Sequence, residues 1–369
     1  MPQEASRFAV RSRVVTRALA LRAARGPRLR PEAVRRVLVA HHLLAGDTLM
    51  LTALLAKARE RYPEASIAMT VRPPIVPLYA GRPYGVQAKP FDPRDARTLD
   101  ALLEEPGFDL ALVPGDNRYS WLAASLDAAW VVAFGGDRPA SKSWMVDELR
   151  PYRATPSAWS DMAADLIDGA APRPYHPRDW PAPPAAPFDR PSGRYAVLHV
   201  EASTPLKHWE DAKWLALARA LSQKGLAVAW SAGRGGESLI SRIDADRKFS
   251  AIGHRLDLGQ LRHLVAGAAL LVCPDTSVAH LGKLAFTPTV TLFGPSSAQL
   301  FGRGEFWRDA PFREVTVPDF PCRDQRTLFK RRIEWVRRCQ RSLDECAEPR
   351  CMHAIGLEQV LAAAAEFGI

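Results

Sequence analysis

Apolar and polar positions follow two alternating patterns along the chain. Short apolar runs predict buried strands, and longer stretches with apolar residues every three or four positions predict helices. The predicted strands are residues 37–40, 67–71, 109–113, 130–134, 195–200, 226–231, 269–273 and 289–293. The predicted helices are residues 48–62, 99–103, 211–224, 258–266 and 278–285. This alternation predicts an α/β protein with parallel, doubly wound sheets and with functional loops at the carboxyl ends of the strands.

The alternation stops at residues 171–193, which contain eight prolines. Proline lacks an N–H donor and fixes its own backbone, so this stretch predicts a stiff linker. The linker separates a domain at residues 35–170 from a second domain at residues 194–369, and a cleft is expected between them.

Length and composition narrow the class of protein. A chain of 369 residues can bury two cores, and 47% hydrophobic with 24% charged residues is ordinary for a globular protein. No apolar stretch approaches the roughly 20 residues needed to span a bilayer, and arginines interrupt each candidate signal-peptide core. These features predict a cytoplasmic protein.

The excess positive charge is concentrated in a basic N-terminal arm, residues 1–34. The formal net charge is +10, and the first 36 residues contain ten arginines but only Glu4 and Glu32 as acids. Interleaved valines and leucines would suit peripheral contact with an anionic inner membrane. The arginines lack the aromatic residues that stack on bases, so nucleic acid is not predicted as a partner. A solvated, disordered tail also fits this composition.

A turn rich in polar residues follows the apolar strand at residues 269–273. Asp275, Thr276 and Ser277 can each cap the helix that begins there, and His280 can share the helix face of Thr276 and Ser277. Unpaired N–H groups and the helix dipole would attract an anion, and this grouping suits a diphosphate. An ordinary capped helix with a core or surface histidine is the alternative.

Two further loops leave strand ends in the second half of the chain. Ser203, Thr204 and Lys207 precede Trp209 and suit a phosphate. A glycine-rich loop ends at Glu237, whose carboxylate could accept hydrogen bonds from ribose hydroxyls. The three loops are expected to converge, because all of them follow parallel strands.

The combination resembles glycosyltransferase family 9, the bacterial heptosyltransferases. The family pattern D-T-G-x-x-H, followed by T-P-x-V-x-L-F-G-P, is matched by residues 275–280 and 287–295, and its K-x-W by residues 207–209. A strand and loop ending in Gly-Asp are matched by residues 37–40 and by Gly46-Asp47. The resemblance spans about residues 35–365, and its specific part is the stretch 275–295.

The resemblance implies a GT-B fold, in which two Rossmann-like domains face each other across a cleft. It implies that Asp47 is the general base of an inverting transfer and that Ser203, Thr204, Lys207, Asp275, Thr276, Ser277 and His280 hold the donor diphosphate, with Glu237 on the ribose. The donor would be a nucleotide sugar, most simply ADP-heptose. The acceptor would be an acidic or lipid-linked glycan such as a lipopolysaccharide core. No metal is required for transfer, because lysine and the helix dipole would replace it.

Two positions depart from the family pattern, and other functions stay open. Ser277 stands where the family usually has glycine, and Ala53 stands where many members have proline. Asp47 could be a plain N-cap of the following helix. The rival functions are a GT-B nucleotide-sugar epimerase and a catalytically silent nucleotide-binding or assembly protein.

Four of the five cysteines are crowded into a Cys-rich segment, residues 320–352. Cys322, Cys339, Cys346 and Cys351 could bind a structural zinc or iron ion, although they lack the paired C-x-x-C spacing of common zinc sites. Seven arginines and lysines lie between Cys322 and Cys339, and this basic loop could meet an acidic acceptor. Reduced thiols in a solvated insertion are the alternative.

Overall fold

The protein contains two six-stranded parallel sheets and a short hairpin. The computed structural model describes residues 7–26 and 28–369. The strands are β1 Arg36–Val39, β2 Ser66–Val71, β3 Val86–Pro90, β4 Leu110–Val113, β5 Trp130–Phe134, β6 Glu148–Arg150, β7 Tyr195–His199, β8 Ala227–Ser231, β9 Ser250–Ala251, β10 Leu270–Pro274, β11 Thr289–Phe293, β12 Phe312–Thr316, β13 Thr327–Leu328 and β14 Arg331–Arg332. The helices are α1 Arg7–Arg25, α2 Ala45–Met50, α3 Thr52–Arg61, α4 Ala96–Leu103, α5 Tyr119–Ser125, α6 Trp159–Ala164, α7 Asp211–Gln223, α8 Glu237–Ile243, α9 Leu258–Ala266, α10 Ser277–Ala285, α11 Ala298–Phe301, α12 Arg350–His353 and α13 Leu357–Ala365.

The two large sheets have the same topology. The first has the strand order β3-β2-β1-β4-β5-β6, and the second, read in the same direction, has β9-β8-β7-β10-β11-β12. All strand pairs within these two sheets are parallel. This is the Rossmann order repeated twice, and it confirms the expected GT-B class of fold.

The predicted elements differ from the observed ones in two ways. The helix expected at residues 48–62 begins earlier, at Ala45, and is divided into α2 and α3 at Leu51. Several elements were not predicted, among them the edge strands β3, β6 and β12 and the hairpin β13–β14. These three edge strands are only partly buried, so they lack the continuous apolar run that marks a central parallel strand.

The proline-rich residues 171–193 pack against both halves of the molecule. The Tyr175 hydroxyl donates to the Leu284 carbonyl at 2.8 Å, and the Trp180 indole N–H donates to the Leu78 carbonyl at 3.1 Å. Both side chains are buried in a cluster that contains apolar residues of both sheets. The linker is therefore an ordered part of the interface between the two sheets.

The described part of the N-terminal arm is an amphipathic helix. Residues 1–6 and Pro27, which belong to the arm predicted at 1–34, lie outside the described residues. Val10, Val14 and Ala18 of α1 are buried against the first sheet's helices, and several arginines of the arm pair with acids of that domain, as in Arg13–Asp100. No helix of the described residues is long and apolar enough to cross a membrane.

Candidate functional site

Each sheet has a crevice where the strand order reverses, and the candidate site lies where these two crevices meet. In the first sheet the crevice is between β1 and β4, and in the second it is between β7 and β10. Loops that follow these strands diverge to opposite sides and leave room for a ligand. Asp47 follows β1, Lys207 follows β7 and Asp275 follows β10. The topology therefore explains why residues far apart in sequence converge.

Lys207 and Asp275 form an ion pair across the second crevice. Lys207 Nζ lies 2.8 Å from Asp275 Oδ2 and donates to the Asp275 carbonyl, also at 2.8 Å. Burial is the largest effect on the pKa of Asp275 and raises it, but the charge and hydrogen bond of Lys207, together with His280 and Ser296, bring this pKa below its ordinary value. The carboxylate is therefore ionised, and it fixes the ammonium at the mouth of the crevice.

Helix α10 points its N-terminus at this ion pair. Thr276 is the N-cap, and its hydroxyl accepts a hydrogen bond from the Val278 N–H at 3.2 Å. The remaining first-turn N–H groups have no acceptor within the helix. Burial lowers the pKa of His280 well below its ordinary value, so its ring is neutral, and its buried Nδ1 has no hydrogen-bond partner in the described structure. The helix end can thus receive an anion.

The other predicted donor residues lie in the loops after β7 and β8 and differ in exposure. Thr204 caps a short 3-10 turn by accepting from the Leu206 N–H, whereas the side chain of Ser203 is exposed. Glu237 is exposed in the first turn of α8. Ser203 and Glu237 are thus exposed, whereas Asp275 is buried.

Sequence reasoning did not identify Glu201, which shapes the glycine-rich loop. Its carboxylate accepts a hydrogen bond from the Gly233 N–H at 2.6 Å. A Cβ atom at Gly236 would lie 2.6 Å from the same carboxylate, so a larger residue there would displace it. Glu201 therefore sets the loop that leads to Glu237.

Asp47 lies in the first turn of α2 with its carboxylate unpaired. The N-cap of α2 is Leu44, and Asp47 makes no capping hydrogen bond. Burial is the largest reason that the pKa of Asp47 rises to about 6, and the negative charge of Asp275 raises it further. The capping alternative is therefore wrong for this helix. A half-buried carboxylate with a raised pKa is a candidate for proton transfer.

The Asp47 loop touches the helix of the second crevice. A Cβ atom at Gly46 would lie 3.3 Å from His280 Cδ2 and 3.5 Å from the Ser277 Cα atom. Gly46 is thus the point of close approach between α2 and α10. Ser277, which stands where the family usually has glycine, lies close to Gly46 of the other domain. The two walls of the cleft, one formed by the first domain and one by the second, therefore meet through small residues.

Two arginines near Asp47 were not singled out from the sequence. Arg72 follows β2, and Arg338 comes from the Cys-rich segment; both positive charges lower the pKa of Asp47 against the larger effect of burial. Neither could be linked to Asp47 from sequence spacing. Arg338 is more than 290 positions away from it and belongs to a segment without regular periodicity.

The four C-terminal cysteines lie in one neighbourhood. Burial raises the pKa of Cys351 to about 11, and the nearby Cys322, Cys339 and Cys346 thiols raise it further. All four are unpaired by disulfides. Within residues 7–26 and 28–369, however, no three His, Cys, Asp or Glu side chains are arranged so that they could hold a metal ion. The thiols are thus neighbours without forming a completed ligand set.

The sequence matches a family model over less than half of its length. The matching model is described as glycosyltransferase family 9 (heptosyltransferase), and it covers residues 159–327. A curated relative, lipopolysaccharide heptosyltransferase 1 of Pseudomonas aeruginosa, is 26% identical over 253 residues, which cover 63% of this chain and 70% of that protein.

Two solved structures share the fold over most of the chain. An Escherichia coli structure described as ADP-heptose LPS heptosyltransferase II has a TM-score of 0.66 at 17% identity and covers 91% of this chain and 100% of its own. TibC of enterotoxigenic E. coli, described as an iron-containing dodecameric glycosyltransferase, has a TM-score of 0.57 at 14% identity and covers 92% of this chain and 77% of its own.

Proposed function

We propose that the chain is a glycosyltransferase of the family 9 type, which transfers a heptose, or a related sugar, from ADP-heptose with inversion of configuration. The proposal is supported by the family match at residues 159–327 and by the similarity to lipopolysaccharide heptosyltransferase 1. The observation that carries this proposal is the unpaired Asp47 carboxylate, which faces the Lys207–Asp275 pair and the N-terminus of α10 across the cleft. A base on one wall and an anion site on the other are the two requirements of direct displacement from a sugar diphosphate.

The chemistry follows from the two walls. Asp47 accepts the proton of an acceptor hydroxyl while the hydroxyl oxygen attacks the anomeric carbon. The bond between that carbon and the β-phosphate oxygen breaks, and negative charge grows on the departing diphosphate. Lys207 and the first-turn N–H groups of α10 stabilise this charge. Attack from the face opposite the diphosphate inverts the configuration.

The proposed acceptor is a lipopolysaccharide core or another acidic surface glycan. Its support is the charge of the first crevice, where Arg72 follows β2 and Arg118 follows β4. Arg118 pairs with Asp116, whereas the Arg72 guanidinium donates only a long hydrogen bond of 3.4 Å to the His42 carbonyl. Arg72 is therefore the cation on this wall that is best placed for an acidic acceptor.

A donor screen tests the proposal directly. ADP-heptose should raise the melting temperature of the protein more than UDP- or GDP-linked sugars do, because a ligand stabilises the folded state that binds it. Transfer to isolated core oligosaccharide, followed by mass spectrometry, then tests the reaction. Stabilisation by ADP-heptose without transfer to any glycan would favour the silent nucleotide-binding alternative. Release of an isomerised nucleotide sugar would favour the epimerase.

We also propose that Cys322, Cys339, Cys346 and Cys351 bind one structural zinc or iron ion. The support is their shared neighbourhood and the softness of thiolate ligands, which select these metals. The similar TibC is described as iron-containing. The thiols would have to converge and ionise on binding, because they are not arranged as a ligand set without metal.

Elemental analysis of protein purified without chelator tests the metal site. About one equivalent of zinc or iron, lost in Cys322→Ser, is the expected result, whereas Cys273→Ser should retain the metal because Cys273 is buried in β10. Four freely titrating thiols and metal far below one equivalent would contradict the site.

The outer face of α1 is proposed to contact the cytoplasmic surface of the inner membrane. Phe8 and Leu19 are 79% and 50% exposed on the face opposite Val10 and Val14, and arginines flank them. Apolar side chains between arginines suit an anionic interface. The protein should sediment with phosphatidylglycerol vesicles and not with phosphatidylcholine vesicles. Phe8→Ser with Leu19→Ser should weaken this binding without lowering donor affinity.

A further inference from the structure

The Cys-rich segment is attached to both domains. On the donor side, the Arg323 guanidinium donates to the carbonyls of Gly294 and Phe293 at 2.6 and 2.8 Å, at the end of β11. The Cys339 N–H donates to the Pro295 carbonyl at 2.7 Å. These bonds fix both ends of the stretch between Cys322 and Cys339 to the second sheet.

The hairpin in the middle of this stretch crosses to the first domain. Phe329 and Lys330 form its two-residue turn with positive φ, and Arg331 follows. Arg331 is buried, and its Nη2 donates to Asn117 Oδ1 at 2.6 Å and lies 3.2 Å from Asp137 Oδ2. Asn117 follows β4 of the first sheet. The segment is therefore a strap across the cleft, anchored at both sides.

Most of the positive charges on the strap are used in these anchors or are paired. Arg323 and Arg331 bind the two domains, and Arg326 and Arg332 pair with Glu334. The meeting of this basic loop with an acidic acceptor stays a prediction. Arg338 is different, because no ion pair forms with it in the described part of the chain and its buried Nε–H has no hydrogen-bond partner.

The strap holds Arg338 inside the cleft. Its backbone pairs with Gln325, and its guanidinium lies 5.8 Å from the centre of the Phe301 ring of α11. The acids whose charges act on it are Asp47 on one wall and Asp275 on the other. A guanidinium without an ion-pair partner among the described residues is thus near enough for the charges of both acids to act on it.

We propose that Arg338 contacts the departing diphosphate of the donor and is a second cation, beside Lys207, for its growing charge. This inference rests on the proposed function. A guanidinium suits a diphosphate because its planar N–H donors can bind two oxygens at once. Cys339, the next residue after Arg338, donates its N–H to the Pro295 carbonyl in the domain that contains Lys207 and α10. This placement favours the donor diphosphate over an acidic group of the acceptor.

Calorimetric titration of the full-length protein with ADP, AMP and adenosine tests this contact. Arg338→Ala should weaken ADP by about ten-fold or more, the scale of one charge-assisted bond, while adenosine affinity stays within two-fold. Arg337→Ala is the matched control, because Arg337 is the adjacent, exposed arginine of the same strap. Arg338→Lys keeps the charge and should recover part of the ADP affinity.

The outcomes separate this inference from the proposed function. ADP affinity of Arg338→Ala equal to that of Arg337→Ala overturns the diphosphate contact. A raised KM for the acceptor with unchanged ADP affinity also overturns it, because Arg338 would then serve the acceptor. If the wild-type protein fails to bind ADP at all, the proposed donor is wrong instead. An unchanged melting temperature of each ligand-free variant excludes a folding defect.

Discussion

The two crevices have the same topology but are completed differently. The second crevice, between β7 and β10, contains its own paired charges, because Lys207 and Asp275 come from the two loops that border it. The first crevice, between β1 and β4, receives Arg331 from the other domain, and its Asp47 forms no ion pair with any described residue. One wall is thus prepared in advance for an anion, and the other depends on a strap from its neighbour.

This difference follows from the tasks proposed for the two walls. A diphosphate site gains from fixed positive charge, which Asp275 orients before the ligand arrives. A general base must be able to take a proton, and a strong ion pair would lower its pKa and weaken it as a base. Asp47 keeps a pKa of about 6 because burial and the negative charge of Asp275 outweigh the positive charges of Lys207, Arg338 and Arg72.

Among the predicted changes, Asp47→Asn should have the largest effect on transfer. Loss of the base should lower kcat by about 10²–10⁴-fold, while the ADP affinity stays nearly unchanged because the donor crevice is intact. A transfer assay and calorimetric titration on the same preparation measure both effects. Equal losses of transfer and of ADP affinity would assign Asp47 a structural role.

Arg331→Met should break the link between the two walls. The substitution leaves the Asn117 Oδ1 atom without its donor and removes the Arg331 guanidinium from the buried Asp137 carboxylate, so the free energy of unfolding should fall by about 3 kcal/mol. Urea unfolding monitored by tryptophan fluorescence measures the loss. Arg332→Met is the control, since Arg332 is exposed and pairs only with Glu334. Equal stability of the two variants would mean that the strap does not join the domains in solution.

Lys207→Ala should weaken diphosphate binding at the second crevice. ADP binding should lose roughly 1.5–3 kcal/mol relative to adenosine, the contribution of a charge-assisted hydrogen bond. Calorimetry with both ligands gives the difference, and Lys224→Ala, at an exposed position, is the control. An unchanged ratio of the two affinities would remove Lys207 from the diphosphate site.

The smallest predicted effect is the pH dependence of transfer and of stability that follows from the raised pKa of Asp47. Transfer requires ionised Asp47, so kcat/KM should fall as the pH drops below about 6 and level off above it.

The raised pKa also means that the folded state holds this proton more tightly than the unfolded chain does. Ionising Asp47 therefore costs stability as the pH rises through 6, and Asp47→Asn should gain stability over wild type at pH 8 but not at pH 4. Urea unfolding at both pH values checks the sign, and an equal difference at both would contradict it.

The sequence by itself determined the class of fold and the strand, cap and helix around residues 275–280. Central parallel strands are buried on both faces, so their apolar runs can be read without a structure, as the match at Thr289–Phe293 illustrates. The capping role of Thr276 also follows from local chemistry. The predicted roles of Ser203, Thr204, Glu237 and the cysteines stay predictions.

The tertiary structure alone decided how the cleft is assembled. Through a strap with little regular secondary structure, Arg331 contacts Asn117, and Arg338 comes near enough to Asp47 for their charges to interact. No sequence period connects such distant residues. The unpaired state and raised pKa of Asp47 depend on which groups surround it, and a Gly-Asp pair in a sequence is equally compatible with a helix cap. Local patterns record whether a residue prefers a strand, helix or turn, whereas burial and charge at a site are set by the packing of distant segments.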